Sequence, residues 1–132
     1  MTKTQPIQIE IAPGELIDRL TILDIKIQRI ADEQKRENVR FEREVLVRAR
    51  DAAIPQSVQL EDLTQQLRAV NEALWEIEDQ IRDCERRQDF GPRFVELARS
   101  VYRKNDRRAD LKRQINQVLG SKLIEEKSYA AY

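Results

Sequence analysis

Residues 60–84 read LEDLTQQLRAVNEALWEIEDQIRDC, with Leu60, Leu63, Leu67, Val70, Leu74, Ile77, Ile81 and Cys84 at alternating steps of three and four. Such steps place the apolar side chains in one seam along a helix that must lie against other helices. The flanking residues bound this helix to 58–87. On one side stand Ile54, Pro55, Gln56 and Ser57, where proline disfavours a helical residue before it and removes a backbone donor. On the other, Asp89, Phe90 and Gly91 form a break before Pro92, which suits the first turn of the next helix because its missing N–H costs nothing there.

That next helix is predicted over 92–119, with a seam through Phe94, Ala98, Val101, Ile115 and Leu119 and a left-handed stop at Gly120. Upstream, Pro13 and Gly14 open a helix predicted over 14–51, in which Glu15 and Asp18 put negative charge in the first turn. Leu16, Leu20, Leu23, Ile27 and Ile30 continue the heptad spacing, while Ile17, Ile22 and Ile25 fall on other faces. A helix apolar on most sides is buried on most sides, so these three isoleucines are the expected contact of a homodimer. The expected fold is therefore all-α. It is a single domain over 1–132, with three long helices in an antiparallel, coiled-coil-like bundle, a short extended arm over 1–13 and a tail over 120–132. The arm alternates Ile7, Ile9 and Ile11 with Gln8 and Glu10, the period of a strand. The tail carries Leu123, Ile124, Tyr129 and Tyr132; its Glu125, Glu126, Lys127 and Tyr129 either cover a site or pack against the first helix.

Composition removes several functions. Charged residues are 36% and hydrophobic ones 40%, with only 5% aromatic, which suits a long narrow seam better than a thick core. Lys plus Arg number 24 and Asp plus Glu 24, so no overall field draws nucleic acid or an anionic membrane. No apolar run is long enough to cross a bilayer or to serve as a signal peptide, and the expected location is cytoplasmic. Histidine is absent and Cys84 is the single cysteine, on an apolar stripe. Histidine-based triads, histidine ligation and thiolate clusters are excluded together.

Charge divides between the last two helices. From Gln59 to Glu85 eight carboxylates face two arginines, and from Arg93 to Arg113 eight basic residues face three acidic ones. Neighbouring helices of opposite charge satisfy one another, and no aromatic residues interleave with the arginines as a base-stacking platform, so nucleic acid is not the expected partner. The last seam is interrupted at Asn105, Arg108 and Lys112. Folding at the two turns places that interruption near Trp75 and the polar stretch from Gln34 to Asn38. Such a polar layer either fixes register or forms a pocket, in which Asn71, Trp75, Glu78, Tyr102, Asn105 and Arg108 surround a small ligand.

Two Glu-x-x-Asp pairs, Glu15 with Asp18 and Glu76 with Asp79, each lie on one helical face. The pattern is similar to that of the all-α nucleotide pyrophosphohydrolases, which implies Mg²⁺ held by facing carboxylates. Within one chain the two pairs are too far apart, so only a second subunit unites them. A second similarity, in helix length and composition, is to helical chorismate mutases, and implies Arg19, Arg29, Arg108 and Lys112 around a dicarboxylate. Read as phrases, APGELIDRLTILDIKIQRI, LWEIEDQIRD, ELARSVYRKNDRRADLKRQIN and LGSKLIEEKSY resemble a family of uncharacterised bacterial proteins, a domain of unknown function. That resemblance implies a small bacterial helical protein in a surface-polysaccharide context and carries over no catalytic residue. The expected function is a non-enzymatic, homo-oligomeric interaction or scaffold module without a cofactor. The alternative is a Mg²⁺-dependent phosphate-ester or nucleotide hydrolase with its carboxylates at a subunit interface.

Overall fold

The computed structural model describes residues 2–132. It contains four helices and, among the described residues, no strand: α1 (Pro13–Arg29), α2 (Glu33–Ala53), α3 (Val58–Arg87) and α4 (Pro92–Val118). The helix expected over 14–51 is thus two helices, and the bundle has four rather than three. The break has a local cause. Ile30 is extended (φ −77°, ψ 127°), and the Asp32 side chain accepts from the Lys35 N–H at 2.9 Å, capping a new helix that begins with the acidic Glu33. Aspartate offers the backbone this alternative to a continuing helix, and the heptad spacing through Ile30 conceals it.

α3 and α4 form a long antiparallel hairpin, and α1 lies in the groove between them. α2 turns back and packs along α1 alone among the helices, so two consecutive helices, α2 and α3, are not neighbours despite their short connection. The core at the α1 N-terminal end joins Ile17, Leu60, Leu63, Leu67, Val70, Leu111 and Ile115. The α4 seam runs through Leu97, Leu111 and Ile115, with Phe94 and Val101 half-buried, while Ala98 is exposed. Ser57 caps α3, its Oγ accepting from the Leu60 N–H at 3.1 Å. α3 ends in a left-handed residue, Gln88 (φ 56°), three positions before Gly91. The strand period of the arm is not realised: residues 2–12 have no regular secondary structure, and Ile7 and Ile9 are exposed.

The start of α1 sits directly on α4. The Gly14 N–H donates to Asn116 Oδ1 at 2.7 Å, and a Cβ built at Gly14 would lie 2.4 Å from the backbone oxygen of Lys112. Only glycine allows that approach. Gly14→Ala should therefore push α1 off α4 and cost about 1–3 kcal/mol of stability, measured by urea denaturation. A change within about 0.5 kcal/mol, the usual effect of a surface substitution, would show that the approach is not required.

Candidate functional site

Along the inward side of α1 the polar residues Asp18, Thr21 and Asp24 recur every three positions among buried leucines and isoleucines, and each is turned to use. The Asp18 side chain is 1% exposed. Arg108 of α4 grips it with both arms, Nε to Oδ1 at 2.9 Å and Nη2 to Oδ2 at 2.5 Å. Asn71 of α3 donates to the same Oδ1 at 2.9 Å and to Thr21 Oγ1 at 2.8 Å, and the Thr21 hydroxyl donates to the Asp18 backbone oxygen at 2.8 Å. The bond to Asp18 holds Arg108 above its ordinary range, against the effect of partial burial. One carboxylate thereby fixes three helices in register. Further along, Asp24 accepts from Arg43 of α2 at 2.5 Å and from Arg68 of α3 at 2.8 Å, joining α2 to the bundle.

A turn beyond Arg108 on α4, Lys112 is 12% exposed and lies between Glu15 of α1, at 2.7 Å, and Glu125 of the tail, at 3.1 Å. Burial pushes the Lys112 ammonium down and the two carboxylates more than offset it, so its proton is held more tightly than usual. Burial likewise pushes Glu15 up, but Lys112 and Arg19 bring it below the ordinary carboxylate range. Glu125 is also bound by Lys127 at 2.7 Å, and the two lysines take its carboxyl down to about 2. The tail thus doubles back along α4, with Arg113 bound to Glu126 at 2.6 Å and the rings of Tyr102 and Tyr132 centred 5.0 Å apart. Between tail and helix runs a groove of about 1260 Å³, and a smaller one of about 290 Å³ lies between tail, arm and α4.

The residues singled out from the sequence fall in several places. Of the six assigned to a pocket, Asn71 and Arg108 meet at Asp18. Trp75 is half-buried, Glu78 is exposed and bonded to Arg82, and Tyr102 and Asn105 line the larger groove. Gln34 and Asn38 are exposed on α2 and bonded to each other rather than facing Asn105. Asp18 and Glu15 are occupied by Arg108 and Lys112, Glu76 pairs with Arg29, and Asp79 is exposed. Facing carboxylate pairs are not formed within the chain, and no group of three or more His, Cys, Asp or Glu able to hold a metal occurs among the described residues. Ile17 and Ile25 are 3% and 2% exposed and belong to the interior of the single chain, while Ile22 is half-buried. Thr21 and Asp24 were not anticipated; their three-residue spacing from Asp18, between the apolar residues of the heptad seam, is the sign that marks them.

The hairpin outruns its cover. Arg29, the last residue of α1, pairs with Glu76, and beyond that point no further helix among the described residues packs on α3 and α4. There Ile77 and Ile81 of α3 and Phe94 of α4 are half-buried and Cys84 and Leu97 are buried between the two helices, while Phe90 and Val95 are 48% and 51% exposed.

A family model described as "Family of unknown function (DUF6165)" matches residues 7–132. No curated protein and no solved structure matches the chain.

Removing one partner from a buried ion pair leaves the other charge uncompensated. Arg108→Met should cost about 3 kcal/mol in urea denaturation, and adding Asp18→Asn should recover more than half of it, because the stranded charge is gone. A depressed carboxylate contributes fully above its unfolded value and progressively less as pH falls through its folded value. The tail contact at Glu125 should accordingly persist above the ordinary carboxylate value of 4.5 and loosen as pH falls toward 2. A side-chain carbon NMR titration should place the Glu125 midpoint near 2, moving toward 4.5 in Lys127→Ala.

Proposed function

We propose that this chain, which belongs to the family of unknown function DUF6165, is a non-enzymatic, homo-oligomeric interaction module whose copies meet along the outer half of the α3–α4 hairpin. The observation that supports this is the apolar seam beyond Arg29, which no other helix of the chain covers. At 1.5 Å per residue α1 is about 25 Å long and α3 about 45 Å, so the difference is several turns of paired helix. The paired helices enclose Cys84 and Leu97 but leave Phe90 and Val95 about half exposed at the outer end. A second hairpin laid against the first would complete a four-helix arrangement.

The occupant we favour is a second copy of this chain, on charge grounds. Between Ile77 and Ser100 the hairpin carries six carboxylates and five arginines, so like surfaces do not repel. Two-fold symmetry can set the acidic α3 of one copy beside the basic α4 of the other. We therefore favour the hairpin over Ile17, Ile22 and Ile25 as the contact, since the chain's own helices bury Ile17 and Ile25 and half-bury Ile22. The bacterial setting we infer, near proteins that assemble surface polysaccharide, rests on the sequence resemblance alone, and the cytoplasmic location on the lack of a long apolar run in the sequence. The hydrolase alternative has less support, because Glu15, Asp18 and Glu76 each already face a cation.

Light scattering after gel filtration should show the wild type approaching twice its chain mass of 15.6 kDa as concentration rises. Phe90→Glu with Val95→Glu should return it to one chain mass with an unchanged helical circular-dichroism spectrum, while Phe41→Glu, on the exposed face of α2, should not. A wild type that stays monomeric at every concentration would refute the proposal. So would a hairpin variant that associates as well as the wild type.

A further inference from the structure

All three tyrosines of the chain, Tyr102, Tyr129 and Tyr132, line one groove, and Arg108, Lys112 and Lys127 line it too. Core packing does not account for this convergence, since the three rings are exposed, Tyr129 to 77%. Tyr102 comes from the middle of α4, whereas Tyr129 and Tyr132 are brought to it by the returning tail, whose Tyr132 ring tilts at 54° against that of Tyr102. Flat aromatic faces beside cations make a surface that takes a ring and an anion together.

The anion position is already marked. Lys112 is anchored by Glu15 on α1, while its other partner, Glu125, lies on irregular chain beyond α4 and is shared with Lys127. A carboxylate on such a segment can be exchanged for another anion with little loss, because both ammonium groups keep a partner and the freed side chain is hydrated at the surface. A phosphate carries more charge and more acceptor oxygens than the carboxylate it replaces. Two other carboxylates border the groove: Glu15, occupied by Lys112 and Arg19, and Asp106, which is exposed to solvent.

We propose that this groove binds a small phosphorylated compound bearing a flat ring. Its phosphate takes the place of Glu125 between Lys112 and Lys127, and its ring lies against Tyr102 and Tyr129. In the free protein Glu125 acts as an internal stand-in for the ligand, and ligand entry frees that part of the tail. The site is separate from the hairpin surface and does not depend on it.

Isothermal titration calorimetry of the full chain at low salt tests this with three probes: ADP, pyrophosphate and adenosine. The variants Glu125→Gln, Lys127→Ala and Tyr129→Ala all lie in the tail outside the helices. ADP and pyrophosphate should both bind the wild type, and Glu125→Gln should tighten both by about two- to fivefold, the worth of one exposed ion pair. Lys127→Ala should weaken both. Tyr129→Ala should weaken ADP by about fivefold or more and leave pyrophosphate unchanged. ADP that fails to bind the wild type and Glu125→Gln at millimolar concentration overturns the proposal, as does a Glu125→Gln protein that binds no more tightly than the wild type. Adenosine binding as tightly as ADP would refute the phosphate position, and an ADP affinity indifferent to Tyr129→Ala would refute the ring position.

Discussion

A carboxylate withdrawn from water must be met by cations and donors, and at Asp18 they come from both other helices that border the interior face of α1. Arg108 supplies two bonds from α4 and Asn71 one from α3. A misplacement of α1 by one residue would turn Asp18 into apolar surroundings or expose Leu16 and Leu20, so one pair sets both the rotation and the height of the helix. The close seat of Gly14 on the Lys112 backbone and the meeting of Arg29 with Glu76 follow from that setting.

With α1 fixed at that height, its length decides the shape of the protein. It stops opposite Glu76, and α3 and α4 continue as a bare pair. The chain after α1 could have covered this extension by continuing straight. Asp32 instead caps a helix that folds back, so α2 shields the outer side of α1 through Val39 and the Arg43–Asp24 bond. The hairpin seam is left half-covered for the same reason that the apolar faces of α1 are well covered.

The exposed side of α4 is organised by charge. The helix is strongly basic, yet among the described residues its cations form no ion pair with the acidic α3, meeting Gln66 and Gln80 there; they are matched instead by α1 at Asp18 and Glu15, by Glu96 and Asp110 of α4 itself, and by the tail at Glu125 and Glu126. These tail contacts are exposed ion pairs of small individual worth. They hold the returning segment along α4 without closing the groove beneath it.

The three-four spacing in residues 60–84 specified helices and a seam, because periodicity of side-chain burial is a local property that any partner must obey. Gly120 and the break around Gly91 were legible in the same way, whereas the alternation of Ile7, Ile9 and Ile11 formed no strand. Asp18, Asn71 and Arg108 could each be marked as polar residues on apolar helices, yet nothing local says that residues 90 positions apart share one bond. The division of the first helix at Asp32 was a matter of competition between a cap and a continuing helix, settled by how α2 packs back on α1. The sequence by itself determined the helices, their apolar faces and the chemistries that are missing. Only the tertiary structure decided which polar groups meet, which seam stays open and where the tyrosines gather, because those depend on the distance between elements and not on the order of residues within one.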